Sequence, residues 1–199
     1  MCGRYSLAPD ESGEILEIIR QVQDRVKTGE IFPTNPVPVL MEAGAELAPE
    51  VMTWGYPRFQ GKSGAIINAR SETALDRPMF RKSVMERRCV FPTTGFYEWG
   101  PDGRGKKQKY RFNLAGGRAL YLAGLWNDFA GERRCVILTT AANASMEGIH
   151  DRMPLILTRD QLGGWVHSTD TATELLHKTP PALEHEIADP PPQTSLFSQ

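Results

Sequence analysis

The stretch Arg88–Trp99, RCVFPTTGFYEW, contains two apolar runs, RCVFPT and FYEW, with a Thr-Gly pair between them. Both runs are rich in the β-branched and aromatic residues that fit a pleated surface, and the small residues between them are typical of a strand boundary. The stretch therefore predicts two strands of a sheet. One charged residue, Glu98, lies inside the second strand.

Comparable runs lie on both sides of this stretch. They are EVMTWGY, AIINAR, KYRFNL, ALYLAGLW and RCVILTTA, and several are bounded by Gly, Pro or Asp. The segment FPTNPVPVL predicts extended chain, because a residue before proline avoids the helical conformation. This series of strands predicts a sheet or barrel that is largely antiparallel.

Helical patterns lie mostly towards the two ends of the chain. Apolar residues at helical spacing predict an amphipathic helix from about Asp10 to Lys27. Residues 71–87 also read as helical, on both sides of Pro78, and TRDQLGGWV and TATELLHK predict two short helices. Strands grouped in the middle with peripheral helices predict the α+β class.

The length of 199 residues fits one domain, which we place at residues 1–189, followed by a flexible tail at residues 190–199. No apolar run approaches the roughly 20 residues that span a bilayer, and the N-terminal segment lacks a signal-peptide pattern. We therefore expect a cytoplasmic protein that makes no contact with a membrane. We also expect a monomer.

The three cysteines are Cys2, Cys89 and Cys135. An odd number in a reducing compartment argues against a disulfide framework. No pair has the close spacing of a zinc site, so we expect neither a metal nor a cofactor.

The net charge of −1 conceals an uneven distribution. Residues 54–118 contain 14 Lys and Arg against 5 Asp and Glu, whereas the rest of the chain is acidic. The basic residues concentrate in RPMFRKSVMERR and GRGKKQKYRF. Such a basic stripe favours a phosphate backbone as ligand, although a pair of solvated surface loops is the alternative.

The chain begins MCGRYSLAP, which places a cysteine directly after the initiator. Removal of Met1 would give Cys2 a thiol and a free α-amine on neighbouring carbons. The pKa of an α-amine is about 8, against about 10.4 for lysine, so a useful fraction is neutral at physiological pH. The alternative is a chance cysteine in a frayed terminus.

Three polar residues adjoin or lie within the predicted strands. Glu98 is surrounded by aromatic residues, and a desolvated carboxylate takes up a proton more easily, which suits acid–base work. His150, in EGIHDRMPLIL, lies in a loop just before an apolar strand, and histidine titrates near neutrality. Asn68 and Arg70 alternate in INARSET and so share a strand face. A solvent-facing glutamate and a structural histidine are the alternatives.

Five motifs carry a resemblance to a known family. MCGRY, WG, NARSET, GFYEW and IHDRMP occur in this order, with LTTAAN between the last two. In this respect the chain resembles the SOS-response-associated peptidase (SRAP) family from residue 2 to about residue 190. The resemblance implies a single α+β domain whose antiparallel sheets bend into a pseudo-barrel with a positively charged cleft.

The resemblance also implies a function and a set of site residues. Family members recognise abasic sites in single-stranded DNA, link to them covalently through the N-terminal cysteine, and remove whatever precedes that cysteine. Transferred to this chain, the catalytic residues are Cys2, Asn68, Glu98 and His150. The implied DNA contacts are Arg4, Trp54 and Arg70, with Trp99 as a further stacking candidate and Thr139 as a contact whose register against Thr140 is open.

The chemistry expected of these residues is the capture of an aldehyde. The ring-opened abasic sugar would form a Schiff base with the Cys2 amine, and the thiol would close a five-membered thiazolidine, favoured because the reaction is intramolecular. A secondary lyase activity would follow from β-elimination of the Schiff base. The alternatives are a cysteine peptidase that acts on other proteins and a noncatalytic reader of single-stranded DNA.

The C-terminal segment ADPPPQTSLFSQ has little capacity to fold alone. Its QTSLF resembles the peptides by which bacterial replication and repair proteins bind the sliding clamp. Gln193, Leu196 and Phe197 would make that contact, and a plain disordered tail is the alternative.

Overall fold

The computed structural model describes residues 2–58 and 63–188. The strands in this part of the chain are β1 (Tyr5–Leu7), β2 (Gly29–Ile31), β3 (Pro36–Ala43), β4 (Glu46–Trp54), β5 (Tyr56–Pro57), β6 (Ala65–Ile66), β7 (Asn68–Arg70), β8 (Arg88–Thr93), β9 (Gly95–Pro101), β10 (Lys107–Asn113), β11 (Leu120–Phe129), β12 (Glu132–Ala141), β13 (Arg152–Pro154), β14 (Ile156–Leu157) and β15 (Glu184–Ile187). The helices are α1 (Gly13–Val22), α2 (Pro78–Glu86), α3 (Leu162–His167) and α4 (Thr169–Leu175). None of the helices in these residues is long and apolar enough to cross a membrane.

Five strands close into a barrel. Strand β12 pairs in parallel with β4, and the path continues antiparallel through β3, β8 and β11 back to β12. Closure leaves few strand edges unpaired. Every residue of β8 is buried, because its outer face is covered by β1, α2 and α3. This burial on both faces explains why RCVFPT is so apolar.

A second, antiparallel sheet has the strand order β15–β10–β9–β1–β2. Strand β1 lies inside it, with Tyr5 paired to Ile31 on one side and to Phe96 on the other. The Tyr5 ring packs against Trp54 and Phe91 of the barrel, with ring centroids 5.4 and 6.3 Å apart. This contact buries Tyr5 between the barrel and the sheet.

The α+β class and the largely antiparallel sheets are confirmed by this architecture. The strands predicted from β8 to β12 form close to their expected bounds. Strand β15 was not predicted, since its four residues are exposed and show no apolar pattern.

Two helix predictions were too long. The helix expected from about Asp10 begins only at Gly13, because the Ser12 side chain caps it, and it ends at Val22, because Gln23 adopts φ 46°. Residues 71–77 form only a 3₁₀ turn at Ser71–Thr73, and α2 begins at Pro78. The residue before that proline is extended, which separates the two segments.

The predicted tail, with Gln193, Leu196 and Phe197, lies outside the described residues. The clamp-binding peptide therefore stays a prediction.

Candidate active site

Cys2 lies in the interior of the fold. Cys2 is buried, and its thiol lies 3.7 Å from the backbone oxygen of Arg4, to which it donates a hydrogen bond. Burial, followed by the negative charge of Glu98, raises the pKa of the Cys2 thiol far above its ordinary value. The thiol is therefore protonated at neutral pH in this arrangement.

Asn68 holds the backbone of Cys2 from the barrel side. It opens β7, which pairs in parallel with β12, and its Nδ2 donates to the Cys2 carbonyl oxygen at 2.9 Å. Its Oδ1 is buried and has no hydrogen-bond partner within residues 2–58 and 63–188. A buried acceptor of this kind is costly unless a donor reaches it, so Oδ1 is suited to receive one from an amine or a sugar hydroxyl.

Glu98 and His150 face one another beside Cys2. The Glu98 side chain, on β9, is only 6% exposed, and its Oε2 lies 4.0 Å from Nε2 of His150. The backbone N–H of Arg152 donates to Nδ1 of His150 at 3.0 Å, which leaves Nε2 directed at Glu98. A carboxylate and an imidazole this close can exchange protons with a group that lies beside both of them.

Two contacts fix the loop that carries His150. The guanidinium of Arg152 binds both carboxylate oxygens of Glu72, at 2.5 and 2.9 Å, and donates to the backbone oxygen of Thr139 at 2.7 Å. These hydrogen bonds from Arg152 lower the pKa of Glu72. On the opposite side the loop presses on β9 at Gly100, where an added Cβ would lie 2.9 Å from the Ile149 Cα.

A cleft of about 590 Å³ opens beside these groups, lined by Gly3, Arg4, Glu98, Trp99, Lys107 and His150. Arg4 donates to Glu30 at 3.0 Å, and its guanidinium lies 5.0 Å from the Trp99 ring. The cleft thus brings together the predicted residues Arg4, Glu98, Trp99 and His150. Its lining includes two cationic side chains, Arg4 and Lys107, and one aromatic ring, Trp99.

Arg70 lies outside this cleft. It is exposed at the end of β7 and lines a neighbouring pocket of about 430 Å³ together with Asn68 and Arg77. Asn68 lines this second pocket and also contacts Cys2, and neither of these two residues lines the first cleft.

The structure corrects two predicted DNA contacts. The Trp54 ring is completely buried, packs on Tyr5 and Phe91, and donates through Nε1 to the Ile67 oxygen at 3.0 Å. A ring enclosed by the core has no face for a base. Thr139 is also completely buried, and its hydroxyl donates to the Ala69 oxygen at 3.4 Å. Both side chains stabilise the fold instead.

The basic stripe is also partly structural. Arg88 is buried and donates to backbone oxygens in the last turns of α2 and α3, at Val84, Met85, Trp165 and Val166. These bonds satisfy helix carbonyls that otherwise lack partners. Lys109 pairs with Glu30, and Arg111 pairs with Glu11. Only part of the basic segment therefore remains available to a ligand.

Sequence reasoning missed several residues of this region. Glu72 and Glu30 orient cations, Lys107 lines the cleft, and Phe32 lies with its ring centroid 4.4 Å from the Arg4 guanidinium. Glu72 lies within NARSET, yet nothing in the sequence pairs it with Arg152. In the described residues, no group of three or more His, Cys, Asp and Glu side chains could hold a metal ion.

Comparisons with known proteins found several similar chains. A family model described as SOS response associated peptidase (SRAP) matches residues 1–189. The abasic site processing protein YoqW of Bacillus subtilis is 32% identical, over 88% of this chain and 84% of that protein. The abasic site processing protein YedK of Escherichia coli is 25% identical, over 87% of this chain and 83% of that protein.

Solved structures show the same fold. A crystal structure of a protein from Bordetella bronchiseptica aligns with a TM-score of 0.77 at 24% identity, and covers 94% of this chain and all of that one.

Proposed function

Because this chain belongs to the SOS response associated peptidase (SRAP) family, we propose that it processes abasic sites in single-stranded DNA by bonding to them covalently through Cys2. The observation that carries the proposal is the position of Cys2. Its carbonyl is held by Asn68, the charge of Glu98 acts on its thiol, and Glu98 lies 4.0 Å from His150. An accidental cysteine at a frayed terminus has no such surroundings.

The first step is the release of Met1. Water cleaves the Met1–Cys2 peptide bond, so that methionine leaves and the α-amine of Cys2 becomes free. Glu98 is the group near Cys2 that can accept the proton of the attacking water. The adjacent Asn68 amide keeps the Cys2 carbonyl fixed during this step, because its Nδ2 already donates to that oxygen.

The second step joins the protein to the sugar. His150 donates a proton to the ring oxygen of the abasic deoxyribose, the bond between that oxygen and the anomeric carbon breaks, and the anomeric hydroxyl releases its proton to water to give the aldehyde. The Cys2 amine adds to the aldehyde carbon, and Glu98 passes protons as the carbinolamine loses water to give the Schiff base. Asn68 Oδ1, which has no partner among the described residues, accepts a hydrogen bond from the amine or from a sugar hydroxyl.

The third step closes the ring. The thiol adds to the imine carbon, its proton moves to the imine nitrogen, and a thiazolidine forms, so that the whole capture releases one water. The thiol reacts after the imine has formed, because it lies on the carbon next to the one that bears the imine nitrogen and closes the ring intramolecularly. When closure fails, β-elimination from the Schiff base breaks the strand on the 3′ side, which is the secondary lyase activity.

We expect this protein to act as a cytoplasmic monomer that joins the nucleoid when it is bound to DNA. Arg4, Lys107 and Arg70 supply phosphate contacts, so affinity falls as salt rises.

The proposal is tested by a denaturing gel of the protein mixed with a single-stranded oligonucleotide that carries one abasic site. Wild type should give a band that survives denaturation, and Cys2→Ala should give none. Cys135→Ala, which removes another buried thiol, serves as the matched control and should retain the band. A band of equal intensity from Cys2→Ala would contradict the proposal.

A further inference from the structure

We propose that Phe32 forms a stacking surface for the nucleobase next to the abasic site, so that the DNA strand leaves the cleft across β1 and β2. This inference rests on the proposed function, since it assumes that single-stranded DNA enters the cleft. It assigns to Phe32 the stacking role that the buried Trp54 cannot fill.

Phe32 belongs to a row of alternating rings and cations. It follows β2 directly and Arg4 precedes β1, so the two residues continue the pairing of Tyr5 with Ile31. The Arg4 guanidinium lies 4.4 Å from the Phe32 ring centroid and 5.0 Å from that of Trp99. The Lys107 ammonium lies 5.9 Å from the centroid of the same Trp99 ring.

The Phe32 side chain is unusually open for an aromatic residue. It is 40% exposed, and it is one of three exposed large hydrophobic side chains in residues 2–58 and 63–188, the others being Met85 and Ile187. Of these three, it is the one in contact with a cleft residue, through Arg4. The exposed part of the Phe32 ring is therefore accessible to a ligand that occupies the cleft beside Arg4.

The turn that presents Phe32 is held rigidly. The Phe32 N–H donates to Asn35 Oδ1 and the Asn35 N–H donates to the Phe32 oxygen, both at 3.1 Å. Thr34 and Asn35 are tied to the backbone of the buried Trp54 by bonds of 2.8 and 3.0 Å. Thr34 adopts φ 70°, a costly conformation for a β-branched residue that the surrounding bonds maintain.

The chemistry of the row favours single-stranded nucleic acid as the occupant. Stacked bases need aromatic faces and the phosphates between them need cations, and Phe32, Arg4, Trp99 and Lys107 supply both in alternation. Glu30 binds Arg4 and Lys109 at 3.0 Å each, which keeps the Arg4 guanidinium against the two rings. A ring already fixed in place loses little conformational freedom when a base stacks on it.

The experiment measures noncovalent binding by fluorescence anisotropy. The probe is a labelled oligonucleotide with a central tetrahydrofuran, which mimics the abasic sugar but has no aldehyde. Two further probes carry a second tetrahydrofuran, which removes the base on the 5′ or the 3′ side. The proteins are wild type, Phe32→Leu, Phe32→Trp and the control Met85→Leu, whose replaced side chain is also exposed.

We expect Phe32→Leu to weaken binding of the first probe by about fivefold or more, as the loss of one stacked base would. Phe32→Trp should bind as tightly as wild type, and Met85→Leu should not differ from it. One of the two probes that lack a neighbouring base should bind wild type more weakly than the first probe does. Phe32→Leu should bind that probe as tightly as it binds the first probe, because removing the base costs no further affinity once its stacking partner is gone.

Two results would overturn the inference. The first is equal affinity of wild type and Phe32→Leu for the first probe, and the second is that, for both probes lacking a neighbouring base, removal of that base weakens binding to Phe32→Leu as much as it weakens binding to wild type. Failure of wild type to bind any probe would instead contradict the proposed function. The two failures are therefore distinguishable. Thermal unfolding of each variant verifies that it is folded.

Discussion

The hydroxyl of Tyr5 lies in the interior between the barrel and the second sheet. It is fully buried, and it has no hydrogen-bond partner among the residues that the structure describes. Burial raises the pKa of this hydroxyl well above its ordinary value, so it is neutral throughout the physiological range. Its contribution is therefore the packing of the ring between barrel and sheet.

Tyr5→Phe is expected to raise the free energy of unfolding by about 1 kcal/mol, because it removes a buried polar group that lacks a partner and keeps the ring. Urea denaturation at pH 7 measures this difference. A loss of stability would show that the hydroxyl is bonded in solution.

Single residues also show which parts of the site can be predicted from sequence. Cys2, Asn68, Glu98 and His150 are far apart in the chain, yet each stands in a short motif of distinctive composition. The structure links them through the Asn68–Cys2 hydrogen bond and the Glu98–His150 approach. Their catalytic roles stay predictions.

The sequence analysis was wrong about residues whose burial or exposure depends on contacts with distant parts of the chain. Trp54 lies in β4, and the sequence of that strand does not show which of its two faces packs against Tyr5 and Phe91. Phe32 looks like an ordinary apolar residue before a turn, and only its exposure beside Arg4 distinguishes it.

At the scale of elements, the site depends on how closely the His150 loop lies against β9. An added Cβ at Gly100 would lie 2.9 Å from the Ile149 Cα, a contact that backbone atoms cannot relieve by rotation. Glycine at this position therefore sets the distance between Glu98 and His150.

Gly100→Ala should slow covalent capture by tenfold or more, roughly the loss expected when catalytic groups shift by about 1 Å. Single-turnover kinetics with abasic DNA measures the rate. Gly163→Ala is the control, since nothing lies within 4 Å of its added Cβ. Equal rates for wild type and Gly100→Ala would refute this role of the close contact.

The other support of the loop, the pair of Glu72 and Arg152, predicts a pH dependence. The bonds from Arg152 lower the pKa of Glu72 in the folded state. Its contribution to stability is therefore present above the unfolded value of about 4.3 and is lost as the pH falls through the lowered folded value.

Glu72→Gln should accordingly reduce the free energy of unfolding at pH 7, and its deficit relative to wild type should shrink as the solution is acidified. Urea denaturation at a series of pH values follows both proteins. Glu50→Gln, at an exposed position of β4, controls for the general effect of removing a carboxylate. A deficit that does not change with pH would exclude the charge as its source.

At the scale of the whole molecule, the apolar runs and turns were sufficient to predict the α+β class and the central strands. They did not predict that β12 joins β4 and β11 to close the barrel, because pairing between distant strands leaves no local pattern. They also did not predict β15, which is polar and exposed.

The charge counts along the sequence predicted where the basic residues lie but not which of them are available to a ligand. They located the basic segment, but burial assigned Arg88 to the helix ends and neighbouring acids neutralised Lys109 and Arg111. Lys107 of this segment lines the cleft beside Arg4, which shares Glu30 with Lys109.

The central claim is that the α-amine of Cys2, once Met1 is gone, captures the abasic sugar. Intact mass spectrometry tests it on processed protein and on the same protein selectively acetylated at its α-amine near pH 6.5, where lysines (pKa about 10.4) are protonated. With abasic single-stranded DNA, the free-amine protein should give an adduct of the summed masses minus one water, and the acetylated protein should give none. An equal yield of adduct from the acetylated protein would contradict the account.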